Sequence, residues 1–251
     1  MPGLQYLHTQ WILKRKGLAR WLPLPQHVPP TRFVILGAPR TGTTLLHTYL
    51  NSHPQIYSYG EVMRKQAQAG EDIRLGTLFQ PQPKRILATG GKLFYSYGES
   101  FIFQPAMDAL IADPSIVVFH CVRSETLRSL VSLMLAERSG VWNNRKPGQP
   151  IAEADRLTIP PTDYMKYHAQ LSQQWQSLQA ALTHHTIHEV AYEDLAIQPE
   201  PVLNQVQAAL YVPQRNLFTL LQRQTPQPLS ELVVNWEELL ETQLMIQNLQ
   251  G

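Results

Sequence analysis

Cysteine is nearly absent from this chain: Cys121 is the single one among 251 residues, so no disulfide can close within it. It sits in an apolar run, where a thiol reads as inert core, and a reducing cytoplasm is the expected compartment. No stretch of 18 or more apolar residues occurs, which excludes a membrane-spanning helix. The first residues also lack the charged-then-apolar order of a secretory leader. Charge is scarce and balanced, with 16% charged residues and a formal net charge of +2, so nucleic acid is not expected as a partner. Internal repeats and low-complexity tracts are missing too.

What remains is an ordinary globular composition. With 43% hydrophobic residues the chain can bury a full core. Residues 31–251 are expected to form one domain, preceded by a basic and aromatic segment and a Pro-rich linker in residues 1–30. Leu4 to Leu22 interleaves Leu7, Trp11, Ile12, Leu18 and Trp21 with Lys14, Arg15, Lys16 and Arg20. Such a segment would suit peripheral contact with a membrane or a partner, or packing as a terminal helix on its own domain.

Beyond the linker, apolar strand patterns alternate with helical ones. Strands are expected near Arg32–Leu36, in Arg85–Tyr95 around a Gly90–Gly91 break, and at Ser115–Val122 and Thr186–Ala191. Helices are expected over Thr43–Asn51, Glu125–Glu137, Tyr164–Leu182, from Val202 to Leu210, and as one last helix over Leu229–Leu249. That order predicts an α/β fold, three-layer α/β/α with a central mostly parallel sheet of the P-loop nucleotide-binding type, its ligand at the carboxyl edge of the strands.

The first strand breaks into Gly37-Ala38-Pro39-Arg40-Thr41-Gly42-Thr43-Thr44. The spacing is that of a phosphate loop, in which backbone N–H groups and a helix N-terminus surround an anion. In a nucleotide triphosphatase a lysine would follow Gly42 and reach the terminal phosphates. Thr43 stands there instead, and Arg40 is the only cation in the loop. The pattern resembles the 5′-phosphosulfate loop of the sulfotransferases that use 3′-phosphoadenosine 5′-phosphosulfate (PAPS) and release PAP. The resemblance implies a donor site made of Pro39, Arg40, Thr41, Gly42, Thr43 and Thr44, with no metal.

A second strand ends Phe119-His120-Cys121-Val122-Arg123, where a magnesium-dependent P-loop enzyme would tend to carry an acid. The family resemblance makes Arg123 and a serine on the next helix the 3′-phosphate site: Arg supplies a fork and Ser a hydroxyl. Several branches space the pair eight apart, and Val131 occupies that position here. Ser132, nine apart, is therefore the expected partner, with Ser129 as the fallback. Ser124 is expected to cap the helix.

For the chemistry, Glu61 follows a His53-Pro54 turn and Gly60, as the catalytic base does in tyrosylprotein sulfotransferases, and it is expected to take the acceptor proton. The other reading of Glu61 is a helix cap, and His53 reads as a turn residue. Lys92 and Arg40 are expected to neutralise charge on the bridging oxygen as PAP leaves; the other reading of Lys92 is a solvated strand end. Tyr192, in Tyr192-Glu193-Asp194-Leu195, resembles a family segment beside the adenine. Arg223 is a further candidate for the 3′-phosphate. The acceptor is a hydroxyl compound of a class the motifs do not encode, with Tyr97, Phe101, Phe103 and Trp142 as candidate lining or as core. Two rival readings are an ATP-using P-loop kinase or hydrolase and a non-catalytic nucleotide-binding protein.

Overall fold

Phe33 and Ile35 serve one side of β2 (Thr31–Gly37) and Val34 and Leu36 the other, and all four are fully buried. A strand buried on both faces is what a parallel sheet covered by helices requires. The computed structural model describes residues 25–142, 156–222 and 226–250. Five strands, β3 (Ile56–Ser58), β5 (Ala88–Phe94), β2, β6 (Val117–Val122) and β7 (Ile187–Ala191), lie side by side in that order, every pair parallel. Their carboxyl ends therefore share one edge.

Helices cover both faces, in agreement with the expected three-layer α/β arrangement. Leu46 and Leu50 of α1 (Thr43–Ser52) and Leu203 and Val206 of α7 (Pro199–Ala209) pack with Phe33 and Ile35. Across the sheet, Met107 and Leu110 of α3 (Gln104–Ile111) and Leu178 of α5 (Pro161–Ala181) pack with Val34 and Leu36. A third apolar cluster joins α4 (Thr126–Ser139) and α5 to α8 (Leu229–Leu232) and α9 (Trp236–Gln250) through Leu127, Val131, Tyr164, Leu229 and Leu239. The short helices α2 (Val62–Ala69) and α6 (Tyr192–Ile197) follow β3 and β7 directly.

Three expectations are corrected. Gly90 and Gly91 are not a break: both lie inside β5 in full register with Phe33 and Val34. The last helix is not continuous, because Leu157 bridges to Val233 and Asn235 bonds both the N–H and the carbonyl of Ile159, which separates α8 from α9. The end of the Pro-rich linker holds a two-residue strand, β1 (Gln26–His27), antiparallel to β4 (Gln82–Pro83). The expected segment 4–22 lies outside the described residues, as does Arg223. Among the described residues no helix is long and apolar enough to cross a membrane.

Gly90 is where backbone approach is tightest. A Cβ built there would lie 2.0 Å from the carbonyl oxygen of Phe33 and 2.7 Å from its ring. Backbone cannot yield as a flexible side chain can, so Gly90→Ala is expected to destabilise the fold by about 2–4 kcal/mol, read as a lower urea midpoint with an unchanged slope.

Candidate active site

Gly37 ends β2 with no room for a side chain: a Cβ would meet Thr41 Oγ1 at 2.7 Å and the Cys121 carbonyl at 2.9 Å. The chain then turns through Arg40 (φ 69°) and Gly42 (φ 95°), both left-handed, and Thr41 Oγ1 closes the turn by donating to the Ala38 carbonyl at 2.8 Å. Gly42 is the N-cap of α1 and, as glycine, supplies no side chain to cap the first-turn N–H groups. That leaves an open, positively polarised helix end at the carboxyl edge of the sheet.

The end opens onto a cleft of about 400 Å³ whose walls include Arg40, Gly42, Thr43, Thr44, Arg123, Ser132, Trp142, Tyr192 and Gln222. Arg123 follows β6 directly, its guanidinium lying 4.1 Å from the centre of the Tyr192 ring, and Nη1 donates to the Arg40 carbonyl at 3.2 Å. Tyr192 in turn packs on the loop, 3.0 Å from where a Gly42 side chain would begin. Arg40 Nε donates to Ser132 Oγ at 2.9 Å, and Nη1 donates to the Trp142 carbonyl at 2.8 Å. Burial draws the Arg40 guanidinium below its ordinary pKa. Of the two candidate serines, Ser132 is in the cleft wall and Ser129 is buried away from it. Pro39 and Thr41 belong to the turn rather than to the walls.

Behind Thr44 sits a charged cluster. Lys92, on β5 and 3% exposed, donates from Nζ to Thr44 Oγ1 at 2.6 Å and to Glu61 Oε1 at 2.7 Å. Burial lowers the Lys92 pKa while the Glu61 carboxylate opposes that shift. This ammonium is not the solvated strand end that the sequence also allowed. Glu61 occupies the N-cap position of α2, yet its carboxylate makes no cap bond. Arg64 Nη1 lies 3.5 Å from its other oxygen.

A sequence profile of the sulfotransferase family matches residues 30–89, which hold the loop, α1, Glu61 and the start of β5. Over those residues the chain is similar to the sulfotransferase family. A sulfotransferase from Alicyclobacillus acidocaldarius shares its fold, with a TM-score of 0.52 at 17% identity over 79% of this chain and 88% of that one. Similar in sequence are Nodulation protein H of Rhizobium tropici, 27% identical over 84% of this chain and 88% of that protein, and Nodulation protein H of Rhizobium meliloti strain 1021, 27% identical over 84% and 91%.

Some side chains do other work than the sequence suggested. Ser124 is no helix cap: its hydroxyl donates to Glu193 Oε1 at 2.9 Å, and Glu125 takes the N-cap position of α4. His53 is buried in a turn, its Nδ1 accepting from the Gln55 N–H at 3.0 Å and its Nε2 donating to the Pro213 carbonyl at 2.9 Å. Tyr97 and Phe103 stack at 3.9 Å and belong to the core beside the sheet, whereas Phe101 is 94% exposed. Trp142 is the aromatic candidate in the cleft wall, with the Arg64 guanidinium 5.5 Å from its ring centre.

Residues missed in the sequence hold the segment before Glu61 to α1. Asn51 clamps Ser58 with two bonds, Nδ2 donating to the Ser58 carbonyl at 2.9 Å and Oδ1 accepting from its N–H at 3.1 Å. His47 Nδ1 meets Ser58 Oγ at 2.7 Å. Their spacing, one helical turn after Thr43 and then another, is the signal that could have found them.

His120 lies in the core, stacked 3.4 Å from Trp175 and bonded through Nε2 to the Tyr95 hydroxyl. Burial depresses its pKa from 6.5 to about 4. A histidine neutral in the fold but protonated in the unfolded chain contributes full stability above pH 6.5, and that contribution is lost as pH falls toward 4. The expected loss is at most about 3 kcal/mol. In urea titrations between pH 7 and 4, His120→Phe should lack this part of the slope while keeping the part due to carboxylates.

Proposed function

We propose that this protein is a sulfotransferase that moves a sulfonate group from PAPS to an acceptor hydroxyl and releases PAP. The observation that carries the reading is a lysine-free phosphate loop and a strand-end arginine, Arg123, facing one cleft. A volume of about 400 Å³ lies within the range of small-molecule pockets. The uncapped N–H groups after Gly42 and the hydroxyls of Thr43 and Thr44 suit the 5′-phosphosulfate, and Arg123 with Ser132 suits the 3′-phosphate. Tyr192 holds the Arg123 guanidinium flat by stacking beneath it.

Bound donor supplies an activated sulfur at a sulfate–phosphate anhydride. Glu61 takes the proton of the acceptor hydroxyl as its oxygen bonds to sulfur, the bond from sulfur to the bridging oxygen breaks, and Lys92 and Arg40 offset the charge left on that oxygen. The cationic residues around the cleft stay charged because each is bonded to oxygen acceptors, Arg40 to Ser132 and Trp142 and Lys92 to Thr44 and Glu61. Residues 31–251 act as one catalytic domain in this reading, and the single free thiol, Cys121, fits a reducing cytoplasm.

Two measurements test the reading. PAP is expected to raise the melting temperature markedly without added metal, while ATP with magnesium does so far less; equal shifts would favour a kinase or hydrolase instead. Arg123→Ala and Ser132→Ala should weaken PAP binding unequally in calorimetry, by roughly 2–3 kcal/mol for the charged fork and roughly 1 kcal/mol for the hydroxyl. An effect at Ser129→Ala with none at Ser132→Ala would overturn the assignment of Ser132.

A further inference from the structure

The Lys92 ammonium is shared between two groups with different addresses. Thr44, which accepts one of its hydrogen bonds at 2.6 Å, lines the cleft; Glu61, which accepts another at 2.7 Å, does not. An ammonium only 3% exposed requires an anionic partner, since leaving it uncompensated is more costly than the pair is favourable. In the protein without ligand that anion is Glu61, whose second oxygen is held at 3.5 Å by Arg64. The carboxylate proposed as the base is thus already engaged by cations on both of its oxygens.

We propose that Glu61 is the internal counter-ion of Lys92, and that the sulfonate of PAPS, seated against Thr44, takes the ammonium over and so releases Glu61 toward the acceptor. The inference rests on the function proposed above. It makes Lys92 a residue that distinguishes loaded donor from spent product, because PAP ends at its 5′-phosphate and, without the sulfonate, competes less for the ammonium. PAPS opens the Lys92–Glu61 pair, and loss of the sulfonate lets it close again. Both anions draw on the same positive charge, so the competition has a definite sign: removing the carboxylate must favour the sulfonate.

Calorimetric titration of the full chain with PAPS and with PAP, in the absence of any acceptor, tests this. In the wild type PAPS should bind more tightly than PAP. Glu61→Gln should tighten PAPS threefold or more and PAP by less, and Lys92→Met should narrow the difference between the two ligands. Glu61→Asp, whose shorter carboxylate reaches Lys92 less well, should fall between wild type and Glu61→Gln, and it keeps the test available should Lys92→Met fail to fold. A PAPS-to-PAP affinity ratio that is unchanged or lowered in Glu61→Gln overturns the inference and leaves the sulfotransferase reading standing. A wild-type protein that binds neither ligand overturns that reading itself.

Discussion

A buried ammonium held between a hydroxyl and a carboxylate fixes much of the chemistry of this protein. Lys92 lies in the interior of a sheet strand, where a cation loses most of its hydration and needs acceptors within the protein. Thr44 and Glu61 supply two of them from separate elements, the first turn of α1 and the start of α2. Three segments far apart in sequence are thereby tied at one atom. The bond from the Lys92 N–H to the Gly60 carbonyl at 3.0 Å ties the backbones as well.

The parallel sheet is the reason these groups meet. Register pairs Ile35 with Lys92 and Gly37 with both Phe94 and Cys121, so the loop after β2 emerges between the ends of its two neighbours. Arg123 on one side and Lys92 on the other then flank it without any local sequence relation. Glycine at position 90 lets β5 approach the β2 backbone closely, which sets the depth at which Lys92 is buried. Arg40 and Arg123 thereby meet at the open end of α1, and that is an electrostatic arrangement suited to an anion.

Much of this was legible in the sequence because it is local. The loop, the strand-end arginine and the alternation of strands with helices each occupy fewer than about a dozen residues, within which steric and periodic rules act directly. Ser132 was preferred to Ser129 on the family resemblance, and the fold puts Ser132 in the cleft wall beside Arg40. The rest depends on meetings between distant segments. Nothing near Lys92 in sequence indicates that its partner lies 31 positions away, or that Thr44 lies 48 away. Gly90 and Gly91 were misread for the same reason: glycine reads locally as a breaker, and only the neighbouring strand shows that it serves close approach. Ser124 had the residue type of a cap, but the acceptor offered by Glu193 on α6 outcompetes the helix end.

The donor loop and the candidate base are carried by one rigid piece rather than by two that must find each other. Helix α1 begins at the loop with Thr43, presents His47 one turn later to Ser58, and after another turn uses Asn51 to clamp the Ser58 backbone in both directions. The clamp replaces the hydrogen bonds that an edge strand would otherwise leave to solvent. From Ser58 only Tyr59 and the left-handed Gly60 separate it from Glu61, and the Tyr59 N–H is fixed to the Gly90 carbonyl at 2.8 Å. The distance between the loop and Glu61 is therefore set by backbone bonds on both sides of the sheet edge, a fixed spacing of the kind that positioning for a group transfer would use. Around Glu61 the side chains of Lys92, Arg64 and Trp142 complete the arrangement, with Arg64 beside both the carboxylate and the Trp142 ring.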